Sequence, residues 1–418
     1  MNSTSLSTSA LLIALAAPAF AVEKSQVLNT YADIAAAKYE DSLITAKTLQ
    51  TAVATLVSAP SAENLQTAKA AWFAARVPYQ QTEVYRFGNA IVDDWEGKVN
   101  AWPLDEGLID YIDAAYGGAS DENAVAALNI IASPMFKLSG KDIDATAITP
   151  ILLSDTLHEA DGVESNVATG YHAIEFLLWG QDLNGHGTGA GKRSWTDYAA
   201  GDECTNANCD RRGDYLKAAT DLLVSDLEWM AAQWGTDGAA RAEVTADEDA
   251  GLSAILTGMG SLSYGETAGE RMRLGLMLND PEEEHSCFSD NTHNDHYFDG
   301  MGVQNVYLGK YIRIDGTLVS GPSLSDIVMA MDADLDVEMQ TKLSGTMMAL
   351  GRIKTTAEAR FAYDQMLERG NAAGEALIMG GVNGLIDQTR SIERVATALG
   401  LDGIAIEGSD SLDDPNAV

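Results

Sequence analysis

Basic side chains are scarce: 26 Lys and Arg stand against 62 Asp and Glu, a formal net charge of −36 over 418 residues. Binding a polyphosphate requires a basic surface that releases counterions, so nucleic acid is excluded as a partner and anionic lipid surfaces are disfavoured. A hydrated protein whose field attracts cations or basic partners remains. Disorder is disfavoured too, because 46% of the residues are hydrophobic, enough for a sizeable core. Only 9 prolines interrupt a chain rich in Ala, Leu and Met, and alternating β-type runs are few. The fold class expected is therefore all-α, with helices that 38 glycines interrupt or pack tightly. Long hydrophobic runs are lacking as well: the longest, Ala10 to Phe20, falls short of the ~20 residues that span a bilayer.

That run ends in Ala19-Phe20-Ala21, an A-x-A cleavage pattern, so residues 1–21 read as a signal peptide. The mature chain then starts near Val22 in an exported setting, periplasmic, outer-membrane-associated or at the cell surface, with no transmembrane segment. Only three cysteines are present. In an oxidising compartment Cys204 and Cys209, which flank a Thr-Asn-Ala-Asn loop, are expected to pair and leave Cys287 free. Helical patterns run over 22–57, from Ala62 into Tyr85 with a kink at Pro78, over 105–115, 121–132, 147–160 and 165–179, then 214–234, 247–278, 333–369 and 373–399. The stretch from Asn279 to Asp299 reads as a polar loop, and an acidic tail, 404–418, as frayed. Gly170–Gly180 is similar to Gly300–Gly309, which suggests two similar helical halves, 22–213 and 214–403.

All six histidines lie between positions 158 and 296. His172 sits beside Glu175 in a helical pattern, and an i, i+3 spacing puts both on one face, within reach of one ion. Imidazole and carboxylate together suit iron, zinc or manganese; a hydrogen bond between the two is the alternative. Gly170 just upstream lets another backbone approach. Several tempting motifs fail. Gly185–Lys192 evokes a phosphate loop but has Arg193 in place of Ser or Thr. Asp332-Ala-Asp334-Leu-Asp336 starts like a calcium loop, yet Val337 and Leu343 stand where Gly and Glu belong. No H-E-x-x-H occurs.

Gly170-x-His172-x-x-Glu175 resembles the G-x-H-x-x-E motif of the imelysin family, named for a bacterial insulin-cleaving peptidase. GYHAIEFLLWGQDLNGHG, with the later EEEHSCFSDNTH and NVYLG, is similar to the iron-regulated protein A branch. The resemblance implies two helical bundle-like halves with the motif near a cleft, and an exported bacterial protein of metal acquisition. It carries over only Gly170, His172 and Glu175. Two ligands hold a metal poorly, so a third is expected from a neighbouring helix. Glu83, in a run with Arg76, Tyr79 and Arg86, is one candidate, against an Arg–Glu surface pair. Asp290, His293, Asp295 and His296 offer others on a loop, against a solvated cover of the cleft; Arg271 and Glu266 would lend supporting bonds. The expected ligand is a divalent or ferric ion, iron before zinc, with envelope iron-uptake components as possible partners. A metallopeptidase, or a cleft receptor for a peptide or iron-carrier protein, are the alternatives.

Overall fold

Ala59-Pro60-Ser61 sets the first corner. Proline denies the chain an amide donor, and the Ser61 hydroxyl accepts the Asn64 N–H at 3.1 Å to start a new helix. The computed structural model describes residues 22–115, 120, 123–401 and 404–416, so the expected signal peptide lies outside the described residues. The longer helices are α1 (Lys24–Ser58), α2 (Ala62–Gln80), α3 (Ala90–Asn100), α4 (Gly170–Trp179), α5 (Cys209–Gln233), α6 (Glu248–Ser261), α7 (Thr292–Leu308), α8 (Ala333–Ala359) and α9 (Ala372–Ala398). A π-helical stretch, Leu262–Arg273, continues α6. Among the described residues the fold is all-α but for two antiparallel hairpins. Met135–Leu138 pairs with Lys141–Asp144, and Lys310–Ile312 with Leu318–Ser320.

α1 packs along α2 and α5, and α8 along α9. One large apolar core runs from Val27 to Leu401 and includes Ile392 and Val395 of α9; a smaller one joins Met272, Leu350, Ile353 and Ile378. The boundary expected at 213/214 falls inside α5, so the two stretches share a helix. Tyr31, Tyr39, Tyr85 and Trp234 form an aromatic nest, with Tyr31 and Tyr85 ring centres 4.8 Å apart. Each such ring contributes on the order of 2–3 kcal/mol by leaving water.

The chain departs from the sequence expectations in places. The helix expected at 105–115 is replaced by a short turn, Glu106–Leu108, and irregular chain; of the one expected at 121–132, positions 121 and 122 lie outside the described residues and 123–132 are irregular. The carbonyls a helix would use are taken across the two segments: Asn129, Ile130 and Ile131 donate to Gly107, Leu108 and Ile109 at 2.7, 2.9 and 3.2 Å. The tail is not frayed over 404–416. Its Ser411 hydroxyl donates to the Gly269 carbonyl at 3.0 Å, and Ser409 and Ser411 are buried against the π-helical stretch. Cys204 and Cys209 form a disulfide, and Cys287 is free.

Candidate functional site: a buried histidine, carboxylate and arginine network

Gly170 starts α4 at φ +79°, a conformation costly for any residue with a side chain. A Cβ there would lie 2.4 Å from the Val99 carbonyl oxygen, so the glycine lets α4 touch the end of α3 backbone to backbone. The Thr169 hydroxyl donates to the Lys98 carbonyl at 2.8 Å, and the Trp72 indole N–H to the Tyr171 carbonyl at 3.0 Å. These contacts aim the next turn of α4 inward, and His172 and Glu175 are fully buried.

His172 Nδ1 faces Glu175 Oε2 at 3.0 Å, while Glu175 Oε1 accepts the Ser289 N–H at 3.0 Å. His172 Nε2 is buried and has no hydrogen-bond partner among the described residues. The His285 ring stands edge-on to it, centres 4.7 Å apart. Beyond it, His285 Nδ1 lies 3.4 Å from both Asp295 Oδ2 and Arg76 Nη2. Arg76 Nε donates to Asp295 Oδ1 at 3.2 Å, and its Nη1 donates to Asn100. Burial pushes the His172 pKa well down, helped by His285 and Arg76. Burial does the same for His285, helped by Arg271 and Arg76, so both rings are neutral at pH 7. Burial raises Glu175 to about 8 against the downward pull of its Ser289 bonds.

Glu83 lies in a short 3-10 turn after α2 and belongs to a second buried group. Arg271 donates to Glu83 at 2.9 Å, to Glu266 at 2.8 Å and to Asp299 at 3.1 Å. Arg86 adds contacts to Asp93, Glu96 and Glu266. The Arg–Glu pairing weighed for Glu83 therefore exists, but inside the protein and with Arg271. Carboxylates outnumber guanidinium groups here. Burial, then repulsion from Glu83, raises Glu96 to about 7 against the pull of Arg86. A folded pKa above the unfolded value near 4.5 stabilises the fold fully below pH 4.5 and less as pH rises to 7. Relative to Glu96→Gln, the wild type should lose roughly 3 kcal/mol between these limits. Urea denaturation of both proteins at pH 4.5, 6 and 7.5 checks this, and parallel pH profiles would count against it.

The polar stretch 279–299 is not a solvated loop throughout. His293, Asp295, His296 and Asp299 sit on α7 and are buried, with only Asp290 left on the preceding loop. The composition is polar there because the segment supplies the network. His296 has neither ring nitrogen bonded among the described residues and is pushed down to about 3, chiefly by burial. Asp290 and His293 line a cavity of about 390 Å³ together with Phe73, Val77, Phe298 and Arg76. Burial, then Asp364 and Asp182, raise Asp290 to about 7; burial and Lys354 lower His293 to about 4. The expected residues thus occupy three places: His172 with Glu175 inside, Glu83 on Arg271, Asp290 and His293 in the wall of the cavity. Among the described residues no group of three or more His, Cys, Asp or Glu side chains is placed to hold a metal ion. His285 packs edge-on against the motif histidine although no local spacing singles it out; its crowding with His293 and His296 and its place in EEEHSCFSDNTH are the hints in the sequence.

The imelysin family's sequence profile matches residues 35–392. The chain belongs to the imelysin family. Over 57 residues it is 40% identical to Iron-regulated protein A of Synechococcus elongatus, a span that covers 14% of this chain and 16% of that relative. Two solved structures share the imelysin fold. One is described as an iron-regulated protein A precursor from Parabacteroides distasonis, with TM-score 0.65, 18% identity, and 91% of this chain and 97% of that one covered. The other is an imelysin-like protein from Psychrobacter arcticum, with TM-score 0.57, 17% identity, and 91% and 98% covered. Among its described residues, this imelysin-family chain has no helix long and apolar enough to cross a membrane.

Proposed function

We propose that this imelysin-family protein is exported and serves iron acquisition in the bacterial cell envelope, taking an iron ion as cargo at His172. The reading is carried by His172 itself. A histidine ligand is neutral, and its second nitrogen is fixed by a carboxylate or carbonyl. His172 meets both conditions, with Nδ1 held by Glu175 and Nε2 buried and unspent. Glu175 then orients the ring rather than acting as the first ligand. His285 is the nearest second donor, also neutral, and Asp295 is the nearest carboxylate beyond it. Since no three donors converge in this form, uptake requires His285 or Asp295 to turn toward His172, away from Arg76. The chain's acidity supplies attraction, and the cavity lined by Asp290 and His293 has Arg76 of the network in its wall. The relatives called iron-regulated protein A supply the choice of iron.

Calorimetry and metal analysis on the chain from Val22 onward test the proposal. Near-stoichiometric iron should bind to wild type, and at least about tenfold more weakly to His172→Ala. Glu175→Gln should show a smaller loss, as an orienting group would. Equal iron binding by wild type and a folded His172→Ala/Glu175→Ala double variant would refute it.

A further inference from the structure

A separate cavity of about 470 Å³ opens where α4 ends, between Tyr111–Ala114 and the stretches around Trp179–Asn184 and Ala190–Ser194. Trp179, Tyr111, Ile112 and Leu183 give it apolar walls. Its polar side is rich in donors, unusual in so acidic a chain. The Arg193 side chain is 1% exposed. Among the described residues its Nη1 makes both of its ion pairs, to Asp110 at 2.7 Å and Asp197 at 3.1 Å, while Nε and Nη2 have no hydrogen-bond partner. Unused donors on a buried guanidinium are costly. The guanidinium is stacked between Tyr111 and Phe176, at 5.0 and 5.3 Å from the ring centres, and cannot swing out to water. Gly180, at φ +69°, puts no side chain over the buried Nε: a Cβ there would lie 3.7 Å from that nitrogen.

Two neighbours add to the surplus. Gln181 accepts the Asp113 N–H through Oε1 at 2.6 Å, and its Nε2 has no partner among the described residues. Lys69 is buried with its ammonium 4.9 Å over the Trp179 ring and has no carboxylate partner among the described residues. Of the acidic groups nearby, Asp113 accepts the Ala115 N–H and Asp182 accepts from Asn184; Lys192 donates to Asn184 at 2.9 Å.

We propose that this cavity is a binding site for a small planar carboxylate, its anion met by Arg193 and Gln181 and its flat body laid against Trp179 and Tyr111. A carboxylate presents two acceptors in one plane, which matches the Nε and Nη2 edge of a guanidinium. The site is independent of the iron reading, because none of its lining residues belongs to the His172 network.

Benzoate is the probe, with benzamide as its uncharged isostere, measured by calorimetry and tryptophan fluorescence on the chain from Val22. Benzoate should bind saturably and benzamide at least about tenfold more weakly. Leu183→Glu sets a carboxylate at an exposed wall of the cavity and should weaken benzoate about tenfold without changing the melting temperature. Lys69→Met should weaken it several-fold. Arg193→Met leaves Asp110 and Asp197 short of a partner and risks misfolding, so the Leu183 variant carries the test. No saturable benzoate binding, equal binding of benzamide, or full binding by Leu183→Glu would each overturn the proposal.

Discussion

Replacing Arg271 by methionine is expected to destabilise the fold by about 3–5 kcal/mol, the cost of removing one partner from a buried ion pair. Arg271 is 2% exposed and holds Glu83, Glu266 and Asp299, two of them nearly or fully buried. Methionine fills much of the volume but leaves three carboxylates facing one another. Asp299, which burial already pushes well above the usual carboxylate range against the pull of Arg271, would lose that pull and be driven further toward its protonated form. The loss should therefore shrink as pH falls, and shrink again when Glu83→Gln and Asp299→Asn are added to Arg271→Met. Urea denaturation of the single and triple variants measures both effects. A loss below about 1 kcal/mol would show that solvent screens this cluster.

Gly170→Ala should be similarly harmful, about 3 kcal/mol or more. The left-handed backbone costs an alanine about 1–2 kcal/mol, and forced overpacking adds 1–3. The steric contact cannot relax cheaply, because the Cβ meets the backbone of Val99, at 2.4 Å from its carbonyl oxygen, and not the tip of a side chain. α4 would have to lift from α3, carrying His172 with it. Thermal melts quantify the loss, and any iron binding should weaken in parallel. An alanine variant with wild-type stability would mean that the glycine in this motif is not a packing requirement.

The parts legible in the sequence were those fixed by local chemistry. The Pro60-Ser61 corner, α1 and α9 follow from capping and periodicity, and the His172–Glu175 pair from helical spacing. What lies between distant segments was not. Arg76 and Asp295 are 219 positions apart, and Arg271 and Glu83 188 apart, so no local pattern joins them. Polar composition misled for the same reason. Asn279 to Asp299 resembles solvated chain, yet from Thr292 onward it is α7, whose His293, Asp295, His296 and Asp299 are buried. The interruption of 105–132 likewise reflects backbone pairing across segments rather than weak helix propensity.

The central claim is that His172 offers its unspent Nε2 to an iron ion. Anomalous scattering at the iron absorption edge, from crystals of the iron-loaded chain, tests it most directly. A peak within bonding distance of His172 Nε2, with His285 or Asp295 turned toward it and Glu175 still on Nδ1, is the result predicted. Iron found elsewhere in the chain, with His172 and Glu175 unchanged, would contradict it.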